Sequence, residues 1–180
     1  MYHYTPLESY IREFLLSLSI RTPHQLTIDH IIERLNIQVY YWDDKSEAMI
    51  YKGKKRIFIN KLLSREERWQ IFAHELCHIM MHHGSQFNMP ESFLAYQEWK
   101  AENYALHLCV PTFMLLQMEL PFRKSEAIYA VSSTFGVTPQ FASRRLQHLE
   151  NQYIASMFDQ KLLRKLHGIT NVSEDYGDYS

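Results

Sequence analysis

A chain of 180 residues that is 46% hydrophobic fits one compact domain with a small helical appendage, and its composition excludes a disordered or fibrous protein. A formal net charge of -1 and a pI near 6.8 exclude a protein whose main work is wrapping nucleic acid or coating an anionic membrane. The opening segment "MYHYTPLESYIREFLLSLSI" carries Glu8, Arg12 and Glu13 inside its apolar stretch and has neither a basic leader nor a small-residue cleavage site. It predicts an amphipathic helix over 5–18. No uninterrupted run reaches the roughly 18 apolar residues of a membrane span, so none is expected. Cys77 and Cys109, the two cysteines, are expected as free thiols in a reducing cytoplasm.

Next, "TIDHIIERL" sets Ile28, Ile31, Ile32 and Leu35 on one side of a helix over 27–35, which Asn36 ends. The runs "IQVYYW", "AMIY" and "RIFIN" predict three short strands in a small antiparallel sheet, the last two joined as a hairpin around Gly53. Ser64-x-x-Glu67 is a capping box, in which two otherwise unpaired amides are satisfied, and it opens a long helix. Gly84, Ser85, Asn88 and Pro90 predict a loop over 82–89. A second long helix over about 91–109 is stopped by Pro111. Beyond Pro121, "VSSTFGVTPQFASRRLQHL" predicts two helices joined at Gly136, and the acidic tail "NVSEDYGDYS" is expected to fray.

The first long helix contains "HELCH". At about 100° per residue, His74 and His78 stand one above the other on one face, with Glu75 at its flank. Two neutral imidazoles at this spacing suit zinc, which polarises a carbonyl and acidifies water, while Glu75 is placed as the general base. Three fixed positions in five residues arise by chance in many chains, so context decides. Here the motif sits in a capped helix with an apolar stripe of Trp69, Phe72, Leu76 and Met80, as a helix carrying a metal in a core requires.

A third ligand must come from another element. On the second long helix Glu98, Glu102, Ala105 and Cys109 fall within about 40° of one direction, with Ala101 beside them. That face offers two carboxylates among small side chains, and geometry alone leaves both open; His107 points the other way. Glu98 follows His78 by twenty positions, a spacing similar to that of the thermolysin-like metallopeptidases. There an acidic residue four places further on supports the first histidine. By that similarity Glu98 is the ligand and Glu102 orients His74 through a ring N–H.

"HELCH" followed by Glu98, Ala101, Tyr104, Ala105, Leu108 and Pro111 resembles the ImmA/IrrE family across about residues 25–150. The resemblance implies an α+β, mostly helical, zincin-like (gluzincin) domain over 1–120 with a small antiparallel sheet. A helix-turn-helix-like C-terminal helical region would cover 121–168 and an acidic tail 169–180. It further implies one zinc ion per chain and a cytoplasmic metalloendopeptidase whose protein substrate is a transcriptional repressor of a phage or mobile element. Cys77 in place of the usual glycine, and "LCVP" in place of a Leu-Leu-Met-Pro type ending, are departures. Cys77 lies about 100° from the ligand face and is expected to pack.

In zincins a strand like "RIFIN" pairs with an extended substrate, so Ile57, Phe58 and Ile59 are candidates for that role, against a plain core strand. His82 is a candidate for polarising substrate, with His83 beside it in solvent. Tyr96 and Tyr104 are candidate oxyanion donors, with core packing as the simpler reading. Two other classes of function compete with proteolysis. Thr138, Arg144 and Arg145 are the residues a DNA-reading C-terminal region would use, and a silent zincin would bind a repressor without cutting it.

Overall fold

A computed structural model describes residues 2–81 and 90–173, with side chains through Phe158. Helix α1 spans Pro6–Ser17, a short 3-10 turn covers Pro23–Gln25 and α2 spans Ile28–Leu35. Strands β1 (Ile37–Trp42), β2 (Glu47–Tyr51) and β3 (Lys54–Asn60) follow, and then the long helices α3 (Arg65–Met81) and α4 (Glu91–Cys109). A single turn, α5 (Thr112–Leu115), leads to α6 (Lys124–Phe135) and α7 (Pro139–Ser173). The chain is thus α+β and mostly helical, as expected. No helix among the described residues is long and apolar enough to cross a membrane.

The sheet departs from expectation. Its order is β1-β3-β2, with β2 antiparallel to β3 but β1 parallel to it. Lys52 and Gly53 both take positive φ, 50° and 73°, giving the two-residue turn whose twist matches a hairpin. β1 and β2 run in opposite directions with β3 inserted between them, so the chain over 43–46 spans the end of β3. Two contacts tie that crossing down. The Asn60 amide donates to Ser46 Oγ at 2.9 Å, and the Lys61 amide to the Trp42 carbonyl at 2.8 Å. β3 takes the middle because its Ile57 and Ile59, both 0% exposed, are the side chains that the sheet buries most completely.

Ser64 opens α3 as expected: its amide donates to Glu67 Oε2 at 2.8 Å, and Ser64 Oγ accepts from the Glu67 amide at 3.2 Å. α3 buries Trp69, Phe72, Ala73, Leu76, Cys77 and Ile79 between the sheet and α4, while Met80 is only half-buried. α4 answers with Ala101, Tyr104, Ala105, Leu108 and Cys109. α6 ends at Gly136, whose φ of 61° closes the helix in the left-handed region. The helix pair joined at Gly136 is therefore present, but α7 continues unbroken past 168 to Ser173, so the expected tail begins inside a helix. The remainder of that tail and the 82–89 loop lie outside the described residues.

A buried polar cluster binds the two ends of the chain to this core. Glu8 forms a capping box with Thr5 at the start of α1 and is itself 2% exposed. It accepts from the hydroxyls of Thr112 at 2.6 Å and Tyr2 at 2.7 Å. Arg145 of α7, 0% exposed, donates to Thr112 Oγ1 at 2.6 Å and to the Val110 carbonyl at 3.1 Å, with Glu8 at 3.8 Å. His107, also buried, sits 3.9 Å from Glu8, and its Nδ1 is 2.8 Å from the Asn103 carbonyl. Burial, reinforced by the Arg145 charge, pushes the His107 pKa down to about 4. Burial alone would raise the Glu8 carboxyl, but hydrogen bonds from Thr112, Thr5 and Tyr2 outweigh it and hold that pKa below the usual range.

Both shifts make the fold acid-sensitive. The unfolded chain protonates His107 near the ordinary pH 6.5 and the folded one only near 4, so this contribution is complete above 6.5 and declines toward 4. The full difference amounts to about 3 kcal/mol. Glu8 adds a further loss as pH falls through its lowered pKa. Urea unfolding between pH 7.5 and 4 should therefore lose stability chiefly below 6.5, with His107→Gln flattening the upper part of the curve. Arg145→Ala, which strands a buried carboxylate, should cost about 3–5 kcal/mol at pH 7.5.

Candidate metal centre

One turn of α3 separates His74 from His78, and their ring centroids lie 4.9 Å apart. The two Nε2 atoms approach to 3.1 Å. α4 brings Glu98 to the same point, with Oε2 at 3.2 Å from His74 Nε2 and Oε1 at 3.5 Å from His78 Nε2. A tetrahedral ion about 2.0–2.1 Å from such donors holds them about 3.3–3.4 Å apart. The two contacts come from different Glu98 oxygens; taking one atom from each residue, the three lie within 4.8 Å of one another, a group able to hold a metal ion. Glu98 keeps 54% of its side chain exposed, so the cluster opens to solvent on that side.

Glu75 is 7% exposed beside this triangle. Burial first, and then the negative charge of Glu98, push its pKa up to about 7, against the pull of Lys45 and of a hydrogen bond from the Ala48 amide. The turn before β2 and β2 itself therefore lie against the acid. This contribution escaped the sequence reading, since Lys45, Glu47 and Ala48 belong to no motif and reach Glu75 only through the pairing of β2 outside β3.

That pairing also corrects the expected substrate strand. Ile57 and Ile59 are core residues, and β3 has hydrogen-bonded neighbours on both sides, so it has no edge to offer a peptide. Phe58 points to the opposite face of the sheet and packs on Tyr40 and Trp42, with centroids at 5.3 and 4.9 Å. Among the described residues, β2 is the edge strand that reaches Glu75.

Glu102 stands one turn beyond Glu98, where its Oε2 accepts from the Arg144 guanidinium at 3.2 Å. It lines a cavity together with His74. Tyr104 is 1% exposed in the core, and Tyr96 is half-exposed and stacked on Trp99. Cys77 is buried, with its thiol pushed up to about 12 by that burial, which fits a packing role. His107 faces the Glu8 cluster and not the triangle, while His82 and His83 fall outside the described residues. The three residues proposed to read DNA are otherwise engaged. Arg145 is interior, Arg144 is paired with Glu102, and Thr138 caps α7 by accepting from the Phe141 amide at 3.3 Å.

A metal cradle shared by two helices, with a buried acid beside it, is the outline of a metallopeptidase site. Residues 32–147 match the Peptidase_M78 family, described as the IrrE N-terminal-like domain. The chain belongs to this family, the ImmA/IrrE group that its motifs resemble. It is 40% identical to phage-like element PBSX protein XkdA of Bacillus subtilis over 156 residues, covering 87% of this chain and 79% of the relative. It is 33% identical to the protein YqaB of the same organism over 160 residues, covering 89% and 93%. A Mycobacterium tuberculosis transcriptional regulator shares the fold with a TM-score of 0.56 at 16% identity, over 79% of this chain and about half (47%) of that one.

A ligand bound only by the folded state raises stability by about 2.7 kcal/mol at a hundredfold excess over its Kd. Titrating a divalent metal into metal-stripped protein should therefore raise the Tm in wild type and much less in His74→Ala, His78→Ala or Glu98→Ala. An unchanged rise in Glu98→Ala would transfer the third-ligand role to Glu102.

Proposed function

We propose that the protein is a cytoplasmic zinc-dependent endopeptidase, of the zincin-like gluzincin type, that cuts a transcriptional repressor of the helix-turn-helix class encoded by a phage or mobile element. The observation that carries this reading is the triangle of His74, His78 and Glu98 atoms with the buried Glu75 beside it. Two imidazoles and one carboxylate suit zinc, with one ion per chain. When bound, the ion supplies a Lewis acid that polarises the scissile carbonyl and acidifies water.

The chain's own groups account for the other requirements. Glu75, anchored by the Ala48 amide, accepts a proton from the attacking water on a carboxylate oxygen and delivers it to the leaving amide nitrogen. β2, an edge strand among the described residues, offers its outer side to an extended peptide, which adds as a further strand across the site. Glu102 steadies the first histidine and is itself steadied by Arg144. The repressor as substrate rests on the ImmA/IrrE resemblance, and a relative named for a phage-like element is consistent with it.

Incubation of the zinc-loaded protein with the repressor encoded next to its gene should yield two fragments by intact mass. Glu75→Gln should slow the cut by about 10²–10⁴-fold while elemental analysis still finds about one zinc per chain. Complex formation without fragments in the wild type would instead identify a binding regulator with no proteolysis.

A further inference from the structure

The turn of the β2-β3 hairpin reads "YKGKKR", with Lys52, Lys54, Lys55 and Arg56 inside five positions of a chain whose net charge is -1. A run of this density is ordinarily answered by nearby acids. Here no ion pair among the described residues includes any of the four. Two of the cations gather instead on one ring. Lys52 Nζ lies 5.3 Å and the Arg56 guanidinium 5.8 Å from the centre of the Tyr51 ring, which is itself exposed. Lys54 is the register partner of Tyr51 and stands beside them. Contacts between cations and an aromatic face hold the charges at the tip without neutralising them.

The positive tip has a fixed place relative to the candidate site. Ala48 is the residue of β2 whose amide reaches Glu75, and Tyr51 ends the strand three residues further on. At roughly 3.4 Å per residue, about 10 Å of strand separates them. Lys55 Nζ, 3.9 Å from Met80 Sδ, ties the root of the turn to the end of α3 beyond His78. Around Glu75 the balance is reversed: Glu98 and Glu47 act on it as negative charges, with Lys45 opposing them. The β2 strand therefore runs from an acid-rich end at the metal cluster to a base-rich end at the tip.

A peptide laid along β2 meets both ends. With its scissile bond at the level of Ala48, its third or fourth residue on one side passes the tip, whichever way the peptide runs. An acidic side chain next to the bond is repelled by the carboxylates there, whereas one at the tip meets cations that no acid has claimed. We propose that the hairpin tip is a subsite for acidic side chains, three or four residues from the scissile bond, where Lys52, Lys54 and Arg56 select an acidic stretch of substrate. The inference rests on the peptidase reading. It assigns part of the choice of substrate to charge, at a distance from the metal.

The test has two arms. In the first, zinc-loaded full-length protein digests a random peptide library, and the residues at each position from the cut are counted. Aspartate and glutamate should be enriched about twofold to fivefold at the third or fourth position on one side, the selectivity that one exposed ion pair supplies. The positions flanking the cut should show no such enrichment, and salt at about 0.5 M should reduce it. Lys52→Glu/Lys54→Glu should exchange the acidic preference for lysine and arginine at that position. A hairpin that was merely loosened would cut less without changing preference. Lys54→Glu alone serves if glutamate at the positive φ of Lys52 destabilises the turn. An acidic preference absent from wild type, or unchanged in a folded charge-reversed variant, would refute the subsite.

In the second arm, the anisotropy of fluorescein-labelled oligoglutamate is followed on addition of zinc-loaded Glu75→Gln. Saturable binding that is lost when Lys52→Glu/Lys54→Glu is added is expected, and equal binding by both would overturn the assignment. If wild type cuts no peptide, the peptidase reading and the substrate role fall together, and the anisotropy then separates that failure from a tip that binds no acidic chain. Loss of affinity for duplex DNA in the charge-reversed protein, with the cleavage profile unchanged, would give the tip to nucleic acid and overturn the proposal.

Discussion

Everything at the candidate centre depends on how closely α3 and α4 approach. One ligand atom from each of three residues on two helices lies within 4.8 Å of the others, and side chains as short as histidine and glutamate reach that distance only if the helices nearly touch. The residues between them permit it: Ala73 and Cys77 on α3, and Ala101, Ala105 and Cys109 on α4, are all 3% exposed or less. Cys109 Sγ lies 3.9 Å from the Trp69 carbonyl, so its thiol meets the backbone of the facing helix. A leucine at any of these positions would separate the helices and pull Glu98 out of range. Cys77, buried between the helices, is small enough to keep the approach.

The same packing explains why the polar residues of α4 divide into two sets. Glu98 and Glu102 follow the small face to its solvent edge, where an ion and Arg144 are within reach. His107, nearly half a turn around, enters the other side of the helix and joins Glu8, Thr112 and Arg145. That second cluster is far more buried than the first. The buried charged pair is joined through the Thr112 hydroxyl and anchored at the Val110 carbonyl, while Arg145 Nη1 and His107 Nε2 lack a hydrogen-bond partner among the described residues; the candidate metal ligands stay nearer water. One helix thus carries a structural knot on one side and the candidate chemistry on the other.

Local periodicity made the metal helix readable in advance. The capping box at Ser64, the one-turn spacing of the two histidines and the small face around Ala101 and Ala105 are each decided within a few residues of chain. The choice of Glu98 over Glu102 needed resemblance as well, because both share that face. Long-range pairing was not readable. Three consecutive strands look the same whether they form a meander or a hairpin split by a third strand, so the parallel partnership of β1 with β3, and with it the central position of Ile57, Phe58 and Ile59, was missed. Arg145 misled for a different reason. An arginine beside another arginine on a helix reads as a surface charge, and only Glu8, 137 positions earlier in the chain, reveals it as interior.

The two corrections combine into one picture of how a peptide would lie. Removing β3 from the edge makes β2 the strand that borders the site, and the Ala48 amide on Glu75 fixes β2 relative to the acid. Removing Arg145 from the surface makes α7 part of the core, which sets Phe141 and Arg144 against α3 and α4. The ligand triangle then has a strand edge on the Glu75 side and an apolar cavity on the His74 side. The pocket beside His74 is bordered in part by α7, a helix outside the pair that carries the candidate ligands, so the C-terminal region packs directly against the face of α3 on which those ligands stand.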